Sequence, residues 1–495
     1  MRLLSLWGLM AGSVTGAAVA SAEGKGVAEV VPTASAQALP AVSAAPSSRS
    51  PERRLAEALR LRTISHQDPA QLDPEPFRAL HDYLAQAFPR VHATLDRERV
   101  SGLSLLYRWP GRDPEAAPLL LTAHLDVVPV PEDQRAAWTH PPFEGVIAEG
   151  FVWGRGAIDD KGGVLAILEA VEGLLAEGFE PEGTLYLAFG HDEEVGGEDG
   201  AGAITELLAS RGVRVAYSLD EGMAILDGSI LGVDIPIAAV GIAEKGYVTL
   251  RLHCSAPGGH SSTPPRESAL GCLARAILRL EDNPFPPHLD GVVGKTLTAL
   301  APRLSLSARV AVQAPWLFGP LLVSRLDGSP APRAMLRTTT AVTMAEAGVK
   351  ENVLPSRARA TVNFRVSPAE DGAFVRERVE ELLADLPVEI ETLRVTEPSQ
   401  VSSTESAAWR DLARAIAAVA PRAVVVPGLV LGGTDSKHYA RVADDSYRFT
   451  PFRLGPEDVA RIHGVDERVA VANYHELIRF YRELLRGPAA PPTSP

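Results

Sequence analysis

Cysteine is nearly absent from this sequence: 495 residues contain two, Cys254 and Cys272. At most one bridge cannot scaffold a chain of this length, and a four-cysteine zinc site is excluded by count. Any metal held here must be held by histidine and carboxylate. Excess positive charge is also lacking. The formal net charge is −14 and no stripe of Lys and Arg stands out, which argues against non-specific binding to nucleic acid or to anionic membrane. At 46% hydrophobic the chain can bury large cores, and its length fits three domains or fewer.

The two ends differ from the rest. Met1-Arg2 precedes an apolar stretch over residues 3–20, closed by Ala20-Ser21-Ala22, so residues 1–22 read as a secretory signal peptide and the protein as secreted or periplasmic. An uncleaved membrane anchor suits this glycine- and serine-diluted stretch less well. Residues 23–50, rich in Ala, Pro, Ser and Val without periodicity, read as a flexible linker, and residues 488–495 as a disordered tail.

In between, histidine and acid recur where apolar runs end. Residues 119–126 (Leu-Leu-Leu-Thr-Ala-His-Leu-Asp) read as a buried strand delivering His124. Asp126 points the same way at strand periodicity and can hold the second imidazole nitrogen, fixing the tautomer of a metal ligand. A strand-end turn with a satisfied polar pair gives the same pattern. Next, Gly154-Arg155-Gly156-Ala157-Ile158-Asp159-Asp160-Lys161-Gly162-Gly163 precedes a predicted helix over 164–176 with a buried stripe at Val164, Leu168, Val171 and Leu175. It lacks the Gly-Lys-Ser/Thr ending of a phosphate loop, and its paired acids suit a cation. A third run, 184–190, ends in His191-Asp192-Glu193-Glu194, and a fourth, 213–219, in Asp220-Glu221. In an open α/β sheet such strand ends converge outside the carboxyl edge. Trp138, His140 and Phe143, in the loop 128–150, are candidates to wall a pocket.

From residue 244 the rhythm changes. A strand at 247–253, a helix at 268–280, a strand at 358–366, a helix at 371–386 and a strand at 388–395 resemble a ferredoxin-like insert. The predicted architecture is thus α/β: a doubly wound mixed-sheet catalytic domain, residues 51–242 and 398–487, with an inserted ferredoxin-like α+β lid or dimerisation domain, residues 243–397. The lid carries an insertion at about 283–337, whose Trp316, Leu317 and Phe318 are expected to pack on it; the alternative is a hydrophobic substrate groove. Beyond the lid come Leu431-Gly432-Gly433-Thr434-Asp435-Ser436 and Arg461-Ile462-His463-Gly464-Val465-Asp466-Glu467.

These motifs, in this order, resemble the M20 family of metallopeptidases and amidohydrolases, most closely its carboxypeptidase S and N-acyl amino acid hydrolase branch, over residues 51–486. The resemblance implies two zinc ions per chain. Matched residue by residue, Asp159 would bridge them, His124 and an acid of the Asp220-Glu221 pair, taken as Asp220, would bind one, and Glu194 and His463 the other. Glu193 would be the general base and Asp126 the residue orienting His124. His260, in Gly258-Gly259-His260-Ser261-Ser262, would supply an oxyanion donor from the lid, its own or a dimer partner's. Arg365, Asn352 and the Gly432-Gly433-Thr434 loop are candidates to hold a substrate carboxylate. The implied reaction is hydrolysis of an amide next to a free-carboxylate amino acid, at a peptide's C-terminus or in an N-acyl (fatty-acyl) amino acid, by an enzyme whose lids pair as homodimers. A non-catalytic metal- or peptide-binding protein is the rival of another class, and Glu193 beside a ligand argues against it.

Overall fold

The computed structural model describes residues 36–38, 49–228 and 233–487; the predicted signal peptide, the tail 488–495 and most of 23–50 lie outside the described residues. The described chain divides into two compact units. One comprises residues 243–401 and 429–433, and the other the chain before residue 243 with 402–428 and 434 onward.

The larger unit is organised by an 11-stranded mixed sheet. Leu185–Gly190, Leu119–His124, Val215–Asp220 and Ala443–Arg448 form its parallel middle in that order. Antiparallel strands extend it, Ser104–Trp109 and Asp96–Val100 on one side and Ile237–Glu244 on the other. Leu119–His124 has neighbours on both edges and the helix Lys161–Ala176 packed on it, so an apolar run suits it. That helix also packs on the closing helix Val471–Arg486. It is buried on nearly every side, rather than along one stripe, because Gly162, Gly163, Ala166 and Ala170 let neighbours approach closely.

Part of the predicted linker joins the sheet. Ala36–Ala38 pairs antiparallel with Asp96–Val100, covering what is otherwise an open edge. A run of three residues is too short for periodicity to mark it.

Two histidines are buried neutral in this unit. His81, on the helix Glu75–Ala87, bonds the Leu103 carbonyl at 2.9 Å. His92 donates from Nδ1 to the Phe88 carbonyl at 2.8 Å and accepts at Nε2 from the Tyr107 hydroxyl at 3.1 Å. Burial pushes both pKa values down to about 4. The unfolded chain takes up these protons near pH 6.5 and the folded chain only near 4. Stability from each is therefore full above about pH 6.5 and is lost as pH falls toward 4, by up to about 3 kcal/mol per histidine. Replacing His92→Gln should flatten that limb, as measured by urea unfolding at about pH 7 and about pH 4.5 beside the parent.

The smaller unit holds a four-stranded antiparallel sheet in the order Thr339–Ala347, Arg357–Val366, Gly246–Ser255, Val388–Thr396. With the helices Ala269–Asp282 and Gly372–Leu383 the chain runs strand–helix–strand–strand–helix–strand. Gly246–Ser255 alternates strictly, and its Val248, Leu250 and Leu252 share a core with Leu273, Ala276, Val375 and Val379. Thr339–Ala347, the strand the sequence leaves unassigned, is exposed along most of its length and so lacks that alternation. Cys254 and Cys272 form a disulfide, Cα–Cα 6.1 Å, tying the inner strand Gly246–Ser255 to the helix Ala269–Asp282. The insertion folds as the helices Gly291–Leu300, Leu306–Gln313, Pro315–Leu326 and Pro330–Leu336. Trp316 and Leu317 do not pack as expected: they are 82% and 66% exposed, and Phe318 alone of the three is partly covered.

Candidate metal centre

In the larger unit, the ends of the parallel strands bring together residues far apart in sequence. Nε2 of His124 lies 2.8 Å from Asp159 Oδ1, and Nε2 of His463 lies 2.9 Å from Asp159 Oδ2. The two oxygens of one carboxylate thus face two imidazoles. Glu194 Oε2 is 3.2 Å from His463 Nε2. Among the described residues two sets of ligand atoms each fall within 4.8 Å of one another: His124, Asp159 and Glu221, and Asp159, Glu194 and His463. Glu193 belongs to neither set.

Asp126, fully buried, organises one side. Its backbone carbonyl accepts from His124 Nδ1 at 3.0 Å, with its carboxylate 3.3 Å from the same nitrogen. The carboxylate accepts the backbone N–H groups of Glu193 and Glu194, each at 3.2 Å. One residue therefore fixes both an imidazole, chiefly through its carbonyl, and the turn carrying the two glutamates, through its carboxylate. Glu467 does the same opposite. It accepts from the backbone of Gly156, Ile158 and Asp159 at 3.1, 2.8 and 3.1 Å and pairs with buried Arg155, which donates to the Gly464 carbonyl next to His463 at 3.1 Å. Sequence reasoning gave Glu467 and Arg155 no role, although both lie in the quoted motifs. His463 sits in the left-handed region at φ +59°, and Asp466 steadies its loop by accepting from Thr139 N and Oγ1 at 2.7 and 2.8 Å.

Burial first, and neighbouring carboxylates after it, push Glu193, Glu194 and Glu221 above the usual carboxylate range. Burial opposes protonation of His463, yet its bonds to Asp159 and Glu194 push it up to about 11. A cation bound among these groups favours the charged carboxylates and the neutral imidazoles, so binding it opposes these upward shifts. Oε1 of Glu194 is buried without a hydrogen-bond partner. Imidazole nitrogens, converging carboxylates and an orphaned buried oxygen fit divalent metal.

Other residues of the quoted motifs have partners of their own. Asp220 turns to the hydroxyls of Thr122 and Thr434, at 2.7 and 2.9 Å, and Glu221 stands with His124 and Asp159. Adjacent residues at a strand end point oppositely, so only one of the pair can face the cluster. The Thr434 hydroxyl thus donates to Asp220 Oδ2. Asp160 caps the helix Lys161–Ala176, accepting from Gly163 N at 3.2 Å. His191 bonds Ser104 Oγ at 2.6 Å inside the core. Trp138 and Phe143 pack with Val127 and Val130 instead of walling a pocket. Replacing Glu221→Gln should remove metal from the His124–Asp159–Glu221 set only, whereas Asp220→Asn should keep metal in both sets and lower stability by about 1–3 kcal/mol; metal analysis and thermal melts distinguish the two.

The remaining predicted residues belong to the smaller unit. Gly259–His260 pairs with Val353–Leu354, and Asn352 accepts from Ser261 N at 3.2 Å, so His260 and Asn352 are neighbours. Nδ1 of His260 accepts from Ser262 N at 3.1 Å, leaving Nε2–H as a donor. Arg365 lies over the Tyr247 ring, 4.6 Å from its centroid. Gly432 and Gly433 are exposed, with open space where a Cβ would stand.

Comparison with known proteins identifies the family. Residues 120–487 match the profile of peptidase family M20/M25/M40. The chain belongs to the M20 family. It is 41% identical over 408 residues to the N-fatty-acyl-amino acid synthase/hydrolase PM20D1.1 of Danio rerio, covering 81% of this chain and 79% of that one. It is also 41% identical over 439 residues to the probable carboxypeptidase S-like 2 of Dictyostelium discoideum, covering 88% and 84%. The fold is similar to that of the M20 family metallo-carboxypeptidase Sso-CP2 from Sulfolobus solfataricus, at TM-score 0.64 and 19% identity over 88% of this chain and 99% of that one. As an M20 protein the chain is a hydrolase of the metallopeptidase and amidohydrolase class, and its family is metal-dependent.

Proposed function

We propose that the protein is a di-zinc amidohydrolase, secreted or periplasmic, that cleaves the amide bond next to an amino acid carrying a free carboxylate. The observation that carries this is Asp159, whose two oxygens serve two histidine-bearing ligand sets while Glu193 stands outside both. His124, Asp159 and Glu221 would hold one ion, and Asp159, Glu194 and His463 the other. Bound there, the ions would acidify a shared water and polarise the substrate carbonyl. Glu193 takes the proton from the attacking water and returns it to the leaving amine. Asp126 keeps Glu193 oriented through its backbone N–H. His260, with Nε2–H available, is the donor we assign to the developing oxyanion. Histidine and carboxylate ligands suit zinc in a hydrolytic site. The Cys254–Cys272 disulfide supports an oxidising compartment.

A fatty-acyl amino acid is the substrate we put first, after a relative at 41% identity named for that chemistry. The second reading is C-terminal cleavage of peptides, after the carboxypeptidase S-like relative. Purified protein assayed on long-chain N-acyl amino acids and on blocked dipeptides, each with its C-terminally amidated counterpart, tests both. Only free-carboxylate substrates should turn over, with the acyl series faster. Equal cleavage of amidated compounds would remove this reading.

A further inference from the structure

The insertion of the smaller unit carries a surface that amide hydrolysis does not use. The helices Leu306–Gln313 and Pro315–Leu326 meet at a bend of 116°, and both turn apolar side chains outward. On the first, Leu306 and Val310, one turn apart, are 76% and 46% exposed. On the second, Leu321 is 52% exposed one turn beyond exposed Leu317, beside exposed Trp316. Large apolar groups grouped in this way mark an interaction site rather than ordinary scatter. Among the described residues no single helix is long and apolar enough to cross a membrane, although the two helices of this bent pair have that length and apolar character together.

Charge selects the partner. Residues 291–326 include Lys295, Arg303, Arg309 and Arg325 and no Asp or Glu, within a chain of net charge −14. Asp327, just past this stretch, is engaged by Arg333 and Arg337. Arg309 donates to the carbonyls of Ala301 and Pro302, and Lys295, Arg303 and Arg325 are exposed. Net charge set anionic membrane aside at the sequence level. At physiological ionic strength, however, charges beyond about 8 Å are screened, so an approaching surface responds to the local excess. A second copy in an isologous contact would bring the same positive charge against itself. An anionic bilayer suits both features, with Trp316, Leu317 and Leu321 entering the headgroup–acyl boundary and the basic side chains reaching phosphates. We propose that this helix pair docks the protein on the surface of an anionic lipid bilayer.

The test is co-sedimentation of the full chain with vesicles of phosphatidylglycerol and phosphatidylcholine, against phosphatidylcholine alone, at low and high salt. Partitioning to the anionic vesicles should be at least about tenfold stronger and should fall with salt. The triple variant Trp316→Ser, Leu317→Ser, Leu321→Ser should lower it about tenfold or more with an unchanged melting temperature. The pair Arg303→Glu, Arg325→Glu should do the same without touching the apolar face. No partitioning, or equal partitioning to both vesicle types, would overturn the proposal. So would a dimer, seen by native mass, that the triple variant converts to monomer, since the face would then cover a second copy.

Discussion

Replacing Glu193→Gln is expected to lower kcat by about 10²–10⁴-fold while bound metal stays at the parent level. Glu193 lies outside both ligand sets, so removing its charge leaves every candidate ligand in place. Glutamine keeps the backbone N–H that Asp126 accepts, so the turn carrying Glu194 should hold. What is lost is a group able to take a proton from water and hand it to the departing amine. A steady-state assay with metal analysis on the same sample checks this. Loss of metal along with activity would reassign Glu193 to the ligand shell.

Asp159→Asn is expected to fail differently, losing metal from both positions and activity with it. Its carboxylate is the one group common to the two sets. One negative charge about 4 Å from a cation is worth about 4 kcal/mol per unit charge at an effective dielectric near 20, about a thousandfold in affinity. A variant at Glu221 should affect one position only, and the contrast in metal stoichiometry is the readout. Retention of full metal by Asp159→Asn would mean the two sets do not share their acid.

Much of this was legible in sequence because its signals are local. A buried parallel strand must be apolar, so the change from Leu119–Ala123 to His124, or from Leu185–Gly190 to the acids after it, marks a strand end by hydropathy alone. The alternation of Gly246–Ser255 likewise announced a half-covered sheet. Ala443–Arg448 gave no such signal. Asp444, Asp445 and Ser446 break any apolar run, yet the strand lies inside the large sheet because its polar groups are bonded to neighbours, Ser446 to Ser218 and to Ser402 and Asp445 to the Ser403 backbone. Such partners lie far away in sequence, and no window of residues contains them.

The sequence by itself determined the family, the alternation of strand and helix, and the set of histidines and acids among which a metal would choose, because each is written in residue type and short-range spacing. Only the tertiary structure decided which member of an adjacent pair faces the cluster. Glu221 does so because Thr122 and Thr434, from two other segments, engage Asp220. It also decided that Glu467 secures the Asp159 loop and that Trp316 stands in solvent. The direction of a side chain at a strand end depends on long-range hydrogen bonds and on what packs beside it, and those exist only once the chain has folded.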